Sequence, residues 1–374
     1  MEYRYQQLLW RMTLTGLAVT GEADSQTQQR IETVFRQWLE TAPPTLAPNL
    51  IGLPLADVAG AMTLAADGRL ESLVLEHVRI EDVVDAHATL TRGEDGAVIV
   101  SGGGGFVDAR SVFPRIVRGD GSGFDAPLDL ALDLDRVLAG DGATLEDVSV
   151  RLDTDGARTR RLDFSATGES GPITARIAPA EDGAGRRLTL EAANAGEAAY
   201  IFLGLNSVRG GVLWAHADLP ALDAPEDAPI TADLEMRRFT LASAPPLAQV
   251  LTIASLEGLA NTLAGEGIRF SRLEAPMHIV GGRITFDEAR AAGQALGVTV
   301  NGAVDLDAGA LDLDGVLVPA YGVNSVLGQI PVLGDIFVSR RGEGVFALTY
   351  SIDGPFEETR VFVNPLSALA PGFL

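Results

Sequence analysis

Along most of the chain apolar and polar side chains alternate with a period of two, the pattern of a β-strand that buries one face and wets the other. Leu128, Leu130, Leu132 and Leu134 alternate with Asp129, Ala131, Asp133 and Asp135. The same texture runs through Leu73 and Leu75 with Val78 and Ile80, then Ala86-Ala88-Leu90, Val148-Val150-Leu152, Leu162-Phe164-Ala166 and Ala232-Leu234-Met236. It continues through Val298-Val300, Val304-Leu306, Leu311-Leu313 and Phe346-Leu348-Tyr350-Ile352. Between these runs stand Asp67-Gly68, Asp95-Gly96, Asp120-Gly121, Asp141-Gly142, Asp155-Gly156, Asp182-Gly183 and Asp353-Gly354. Both residues tolerate positive φ, so each pair is a hairpin signal, and successive strands are predicted to be antiparallel neighbours.

Two stretches carry a helical period instead. In Asp24 to Glu40, Ile31, Val34, Phe35, Trp38 and Leu39 share one face, with Asp24 or Ser25 as N-cap and Pro43-Pro44 as the stop. In Pro246 to Ala264, Leu247, Val250, Leu251, Ala254, Leu256, Leu259 and Leu263 give a broad apolar surface, predicted as two short helices broken around Ser255 to Gly258. Leu317 to Val338 holds a single charge, Asp335, and is long enough to span a bilayer. Pro319, Pro331, Gly322, Gly328 and Gly334 interrupt any continuous helix there, so a buried or membrane-dipping helical hairpin is expected. The chain then divides into 1–50, a strand and an amphipathic helix; 51–240, an antiparallel meander; and 241–374, the C-terminal region.

Charge and composition remove several functions. The chain of 374 residues has 28 Lys+Arg against 51 Asp+Glu, a net charge of −23, and no basic cluster. Nucleic acid is therefore excluded as a partner, as is electrostatic adhesion to anionic headgroups. A 47% hydrophobic content supports a folded chain, and zero cysteines exclude disulfides, thiol catalysis and thiolate metal sites. The four histidines, His77, His87, His216 and His278, lack ligand spacing and read as surface residues. Gly102 to Gly105 is not followed by the Gly-Lys-Ser/Thr of a phosphate loop, and reads as a bulge or turn. Asp305, Asp307, Asp312 and Asp314 fall on the polar phase of their strands without a calcium-loop pattern. No catalytic residue, metal site or cofactor is predicted. Met1 to Trp10 has no apolar signal core, so the chain is expected to be cytosolic or the C-terminal part of a longer protein.

What remains is the apolar face. A second sheet, curling of the same sheet, or a ligand must cover it. In the third case it is the floor of a gutter for hydrocarbon, each buried methylene contributing about 0.8 kcal/mol. The floor candidates are Leu128, Leu130, Leu132, Leu134, Val148, Val150, Leu152, Leu234, Val300, Val304, Leu311, Leu313, Phe346 and Leu348.

The C-terminal third adds a resemblance. Its residues are Ser255 to Leu259, Gly265 to Phe270, Gly282-Arg283-Ile284 and Gly302 to Leu306, then Val318-Pro319-Ala320-Tyr321 with Asn324, and Ile330 to Gly334. Gly342 to Ala347, Tyr350, Asn364 to Ser367 and Ala370-Pro371-Gly372 complete it. In order and spacing these stretches resemble the C-terminal region of the AsmA-like family of bacterial envelope proteins. The resemblance implies an elongated, curved antiparallel β-sheet groove with a few short helices and a C-terminal helical hairpin. It implies periplasmic localisation with an inner-membrane anchor in the full-length family, bridge-like phospholipid transport in outer-membrane biogenesis, and further envelope proteins as partners. No anchor precedes Met1, so the chain reads as a fragment. The family offers no catalytic residues. Its positions here, Pro319, Tyr321, Asn324, Leu327, Ile330, Pro331 and Leu333, read as an end piece that closes the groove or contacts a membrane, or that simply packs on the last strands. The function expected is non-enzymatic lipid handling; the rival is a structural or adhesive β-array with a self-filled core.

Overall fold

The predicted alternation is realised as strand after strand. The computed structural model describes residues 57–64, 70–80, 82–93, 96–110, 127–140, 142–180, 183, 185–225, 227–319 and 347–364. Among them are seventeen β-strands and three short helices, so the fold is mainly β. The chain divides into two compact units at Glu169 and Ser170. The Asp24–Glu40 helix and nearly all of the 317–338 hairpin lie outside the described residues, as do Asp67-Gly68 and Asp120-Gly121.

The first unit contains β1 (Asp57–Leu64), β2 (Leu70–Ile80), β3 (Val84–Arg92), β4 (Val98–Asp108), β5 (Leu128–Gly140), β6 (Ala143–Thr154) and β7 (Thr159–Gly168). Each strand is hydrogen-bonded to the next in chain order. One pairing departs from the expected antiparallel rule: β4 and β5 are parallel, with Val98 opposite Leu128 and Gly104 opposite Leu134. Nineteen residues separate Asp108 from Leu128, too many for a hairpin turn and enough for the crossover that a parallel pair requires. Gly142 (φ 79°) and Gly156 (φ 99°) turn the chain between β5 and β6 and between β6 and β7, as the Asp-Gly signal predicts. Asp155 completes the second turn by accepting the amides of Ala157 at 2.9 Å and Arg158 at 2.7 Å, which holds its carboxyl below the usual carboxylate range.

The second unit runs β8 (Gly171–Pro179), β9 (Arg186–Ala192), α1 (Ala195–Leu203), β10 (Val208–Leu219), β11 (Ile230–Leu241), α2 (Pro245–Ile253), α3 (Glu257–Ala264) and β12 (Ile268–Val280). It continues through β13 (Arg283–Gly293), β14 (Leu296–Asp305), β15 (Ala310–Pro319), β16 (Leu348–Pro355) and β17 (Arg360–Asn364). All ten strands pair antiparallel in chain order. The predicted break between helices is present: Ser255 (φ 59°) separates α2 from α3. Asp353-Gly354, by contrast, is not a hairpin turn. Both residues lie inside β16, and the chain reverses just beyond, where the Glu358 amide donates to the Pro355 carbonyl at 3.0 Å. Leu317 to Pro319 complete β15 and are not helical.

All three helices sit at one end of this sheet, because α1 joins Ala192 to Val208 and α2–α3 join Leu241 to Ile268, which are neighbouring strand ends. There they build a core: Val250, Leu251, Leu296 and Leu317 are 0% exposed. The Phe239 and Phe270 rings stack at 5.4 Å on the same side. Helix α2 starts from the end of β11 yet packs against β17, with sparse contact to the strands between. In a flat sheet six strand spacings would put β17 roughly 29 Å away. The strands β12–β16 therefore bow around the helix, and the apolar face is the concave one.

Candidate functional site

Strand register turns the separate alternations into continuous apolar rows. In the first unit one row runs Leu73, Leu90, Val100, Leu130, Leu152, Leu162, one residue from each of six strands. The next runs Gly60, Leu75, Ala88, Gly102, Leu132, Val150, Phe164. In the second unit Ile177, Leu188, Ala217, Ala232, Met277, Phe286, Gly302, Leu313, Ile352 and Val361 form a row across ten strands.

Burial along these rows is uneven. In the first unit Leu73, Leu90, Val100, Leu130, Leu152 and Leu162 are all only half-buried, as are Leu75, Leu132, Val150 and Phe164. The strand ends on either side are closed, with Leu128 4%, Val137 4% and Leu145 0% exposed. In the second unit the helix end is closed and the far rows are half-open, Leu188, Met277, Phe286 and Leu313 among them.

Of the predicted floor residues, Leu128, Val148 and Leu348 are buried. Leu130, Leu132, Leu134, Val150, Leu152, Leu234, Val300, Val304, Leu311 and Leu313 are half-buried. The β5–β6 register sets Leu128, Leu130, Leu132 and Leu134 opposite Thr154, Leu152, Val150 and Val148, and β14–β15 sets Val304 opposite Leu311. Pro319 is buried, opposite Leu296 at the helix end. Phe346, Tyr321, Asn324, Leu327, Ile330, Pro331 and Leu333 lie outside the described residues. Phe239 and Leu145, both inward, were hidden from the period-two pattern because positive-φ residues, Arg238 (φ 54°) and Asp147 (φ 50°), switch its phase. The visible trace was a pair of apolar residues three apart, Met236 with Phe239 and Leu145 with Val148.

The opposite face carries the charges. Arg151 holds the Asp133 carboxyl below its usual range at 2.7 Å, and the Ser149 hydroxyl donates to it at 2.9 Å. Arg187 pairs with Asp218 at 2.8 Å, His278 with Asp287 at 2.9 Å and His216 with Asp233 at 3.1 Å. His87 is exposed and His77, expected on the surface, is half-buried. Gly102 to Gly105 forms the expected bulge, since Phe106 opposes Asp85 while Gly104 opposes Ala86. Among the described residues no group of three His, Asp or Glu side chains converges as a metal site, and no helix is long and apolar enough to cross a membrane.

The arrangement can do two things: hold apolar matter on one side, and stay wetted and charged on the other. Several of its charged groups pair with one another on the outer face. No protein-family model matches this chain, and no curated protein or solved structure matches it either.

Proposed function

We propose that this chain is a non-enzymatic lipid-binding protein of the Gram-negative cell envelope. In this reading the concave apolar rows hold phospholipid acyl chains while the headgroups stay in water, and bridge-like transport in the periplasm follows from the resemblance to the AsmA-like family. One observation carries the proposal: apolar rows that run unbroken across every strand of a unit and stay only half-buried over most of their length. A surface of that extent is costly in water and is found where a ligand or partner completes it. A self-filled structural array explains the helix-capped end of the second unit but leaves the half-exposed rows without a reason.

Detergent-free purification followed by lipid mass spectrometry tests the reading. The native chain is expected to carry phospholipid, and the double variant Leu130→Glu, Leu132→Glu is expected to lose it with its circular dichroism unchanged. An empty native chain would refute the proposal.

A further inference from the structure

In the second unit the apolar columns do not end with the strands. Along β16 the inward residues Leu348, Tyr350 and Ile352 are 3%, 5% and 6% exposed, and the column continues through Gly354 to Phe356, which is 46% exposed. Along β14 it opens from Leu296 at 0% and Val298 at 9%, through half-buried Val304, to Leu306 at 57%. Both exposed residues lie at the hairpin end, opposite α1–α3. Backbone hydrogen bonds tie their turns into one tier: the Leu306 amide donates to the Gly282 carbonyl at 2.9 Å, and the Phe356 amide to the Gly309 carbonyl at 2.8 Å.

We propose that this hairpin rim is where the sheet exchanges lipid with a bilayer, with Leu306 and Phe356 seated among its acyl chains; the proposal rests on the lipid-binding reading above. The sheet is blind at the helix end and open at the hairpin end, so a tail can leave the floor over Val304 and Leu306, or Ile352 and Phe356, without crossing polar surface. The charge at the rim selects the kind of surface. Asp307, Glu357 and Glu358 stand on the same turns, while Arg283 and Arg360 already face Asp305 and Asp353. Nothing there attracts an anionic membrane, so the surface that fits is zwitterionic, engaged through apolar insertion.

The test uses the full chain with phosphatidylcholine vesicles whose acyl chains are brominated. In a Phe356→Trp variant the new indole is expected to be quenched beyond the level of the native tryptophans. The double variant Leu306→Asp, Phe356→Asp is expected to lose about tenfold or more in vesicle affinity while keeping its co-purified phospholipid and its circular dichroism. Undiminished vesicle binding, an introduced indole that stays unquenched, or a native dimer that this double variant dissolves would each overturn the rim proposal. Quenching of the introduced indole, in a protein whose native form carries no lipid, would instead refute the lipid-binding reading, and lipid exchange with it.

Discussion

The Tyr350 hydroxyl, on β16, donates a 2.8 Å hydrogen bond to the backbone carbonyl of Thr299, on β14, reaching across Gly315 of the strand between them. A methyl group at Gly315 would stand inside contact distance of both the Thr299 carbonyl and the tyrosine hydroxyl. Three strands are thereby tied at one point, where Thr299 Oγ1 also accepts the Val316 amide at 3.0 Å. Removing the hydroxyl by Tyr350→Phe is expected to cost about 1–2 kcal/mol, since a part-buried carbonyl loses its partner. Gly315→Ala is expected to cost more, because backbone atoms must move. Denaturant midpoints of the two variants, read against the native chain, check the order.

The same phenol makes stability fall at high pH. Burial, followed by the nearby Asp314 carboxylate, pushes Tyr350 above its usual value of 10.0. Its contribution is complete below pH 10.0, the unfolded value, and is lost as pH rises from there toward the folded value. The sequence contains no lysine, so that window is free of ammonium titration. Unfolding free energy measured between neutral pH and about pH 11 should decline in the native chain, and less steeply in Tyr350→Phe.

Glycines in β4 separate close packing from open space. A Cβ on Gly104 would run into the backbone of Asp85 and Ala86, and one on Gly103 would come within 2.6 Å of the Asp133 carbonyl. A Cβ on Gly105, the extra residue of the bulge, would meet only an Asp135 carboxylate oxygen at 3.9 Å. Gly104→Ala is expected to lose about 1–3 kcal/mol and Gly105→Ala less than about 0.5 kcal/mol. Thermal unfolding of the two single variants distinguishes them.

Period-two alternation disclosed most strands, because one wet face and one apolar face leave that trace in the letters. It did not disclose direction. The alternation in Val98–Val100 and Leu128–Leu134 is the same whether β4 and β5 run parallel or antiparallel, and only the long connection distinguished them. Helix α1 was missed because AGEAAYIFL is too short for a full apolar stripe. Its ends were nonetheless marked: Asn194 caps the Glu197 amide at 3.1 Å, and Gly204 (φ 68°) closes the last turn. The floor residues of β5 and β6 were legible as an apolar phase. Their half-exposure was not, because burial depends on what lies opposite a face, and no local pattern encodes that.

Ala88 offers a direct trial of whether the apolar face of the first unit is open. It is half-buried on β3, between Leu75 and Gly102 in register, and Gly102 leaves the floor beside it without a side chain. If acyl chains fill that space, Ala88→Phe places a ring where hydrocarbon would lie, costs less than about 1 kcal/mol, and lowers the co-purified phospholipid. Ala139, only 3% exposed, is the matching site in a closed part of the same unit. Ala139→Phe must displace neighbours and is expected to cost about 1–3 kcal/mol. Equal destabilisation by the two substitutions, with lipid content unmoved, would mean that protein rather than lipid covers that face.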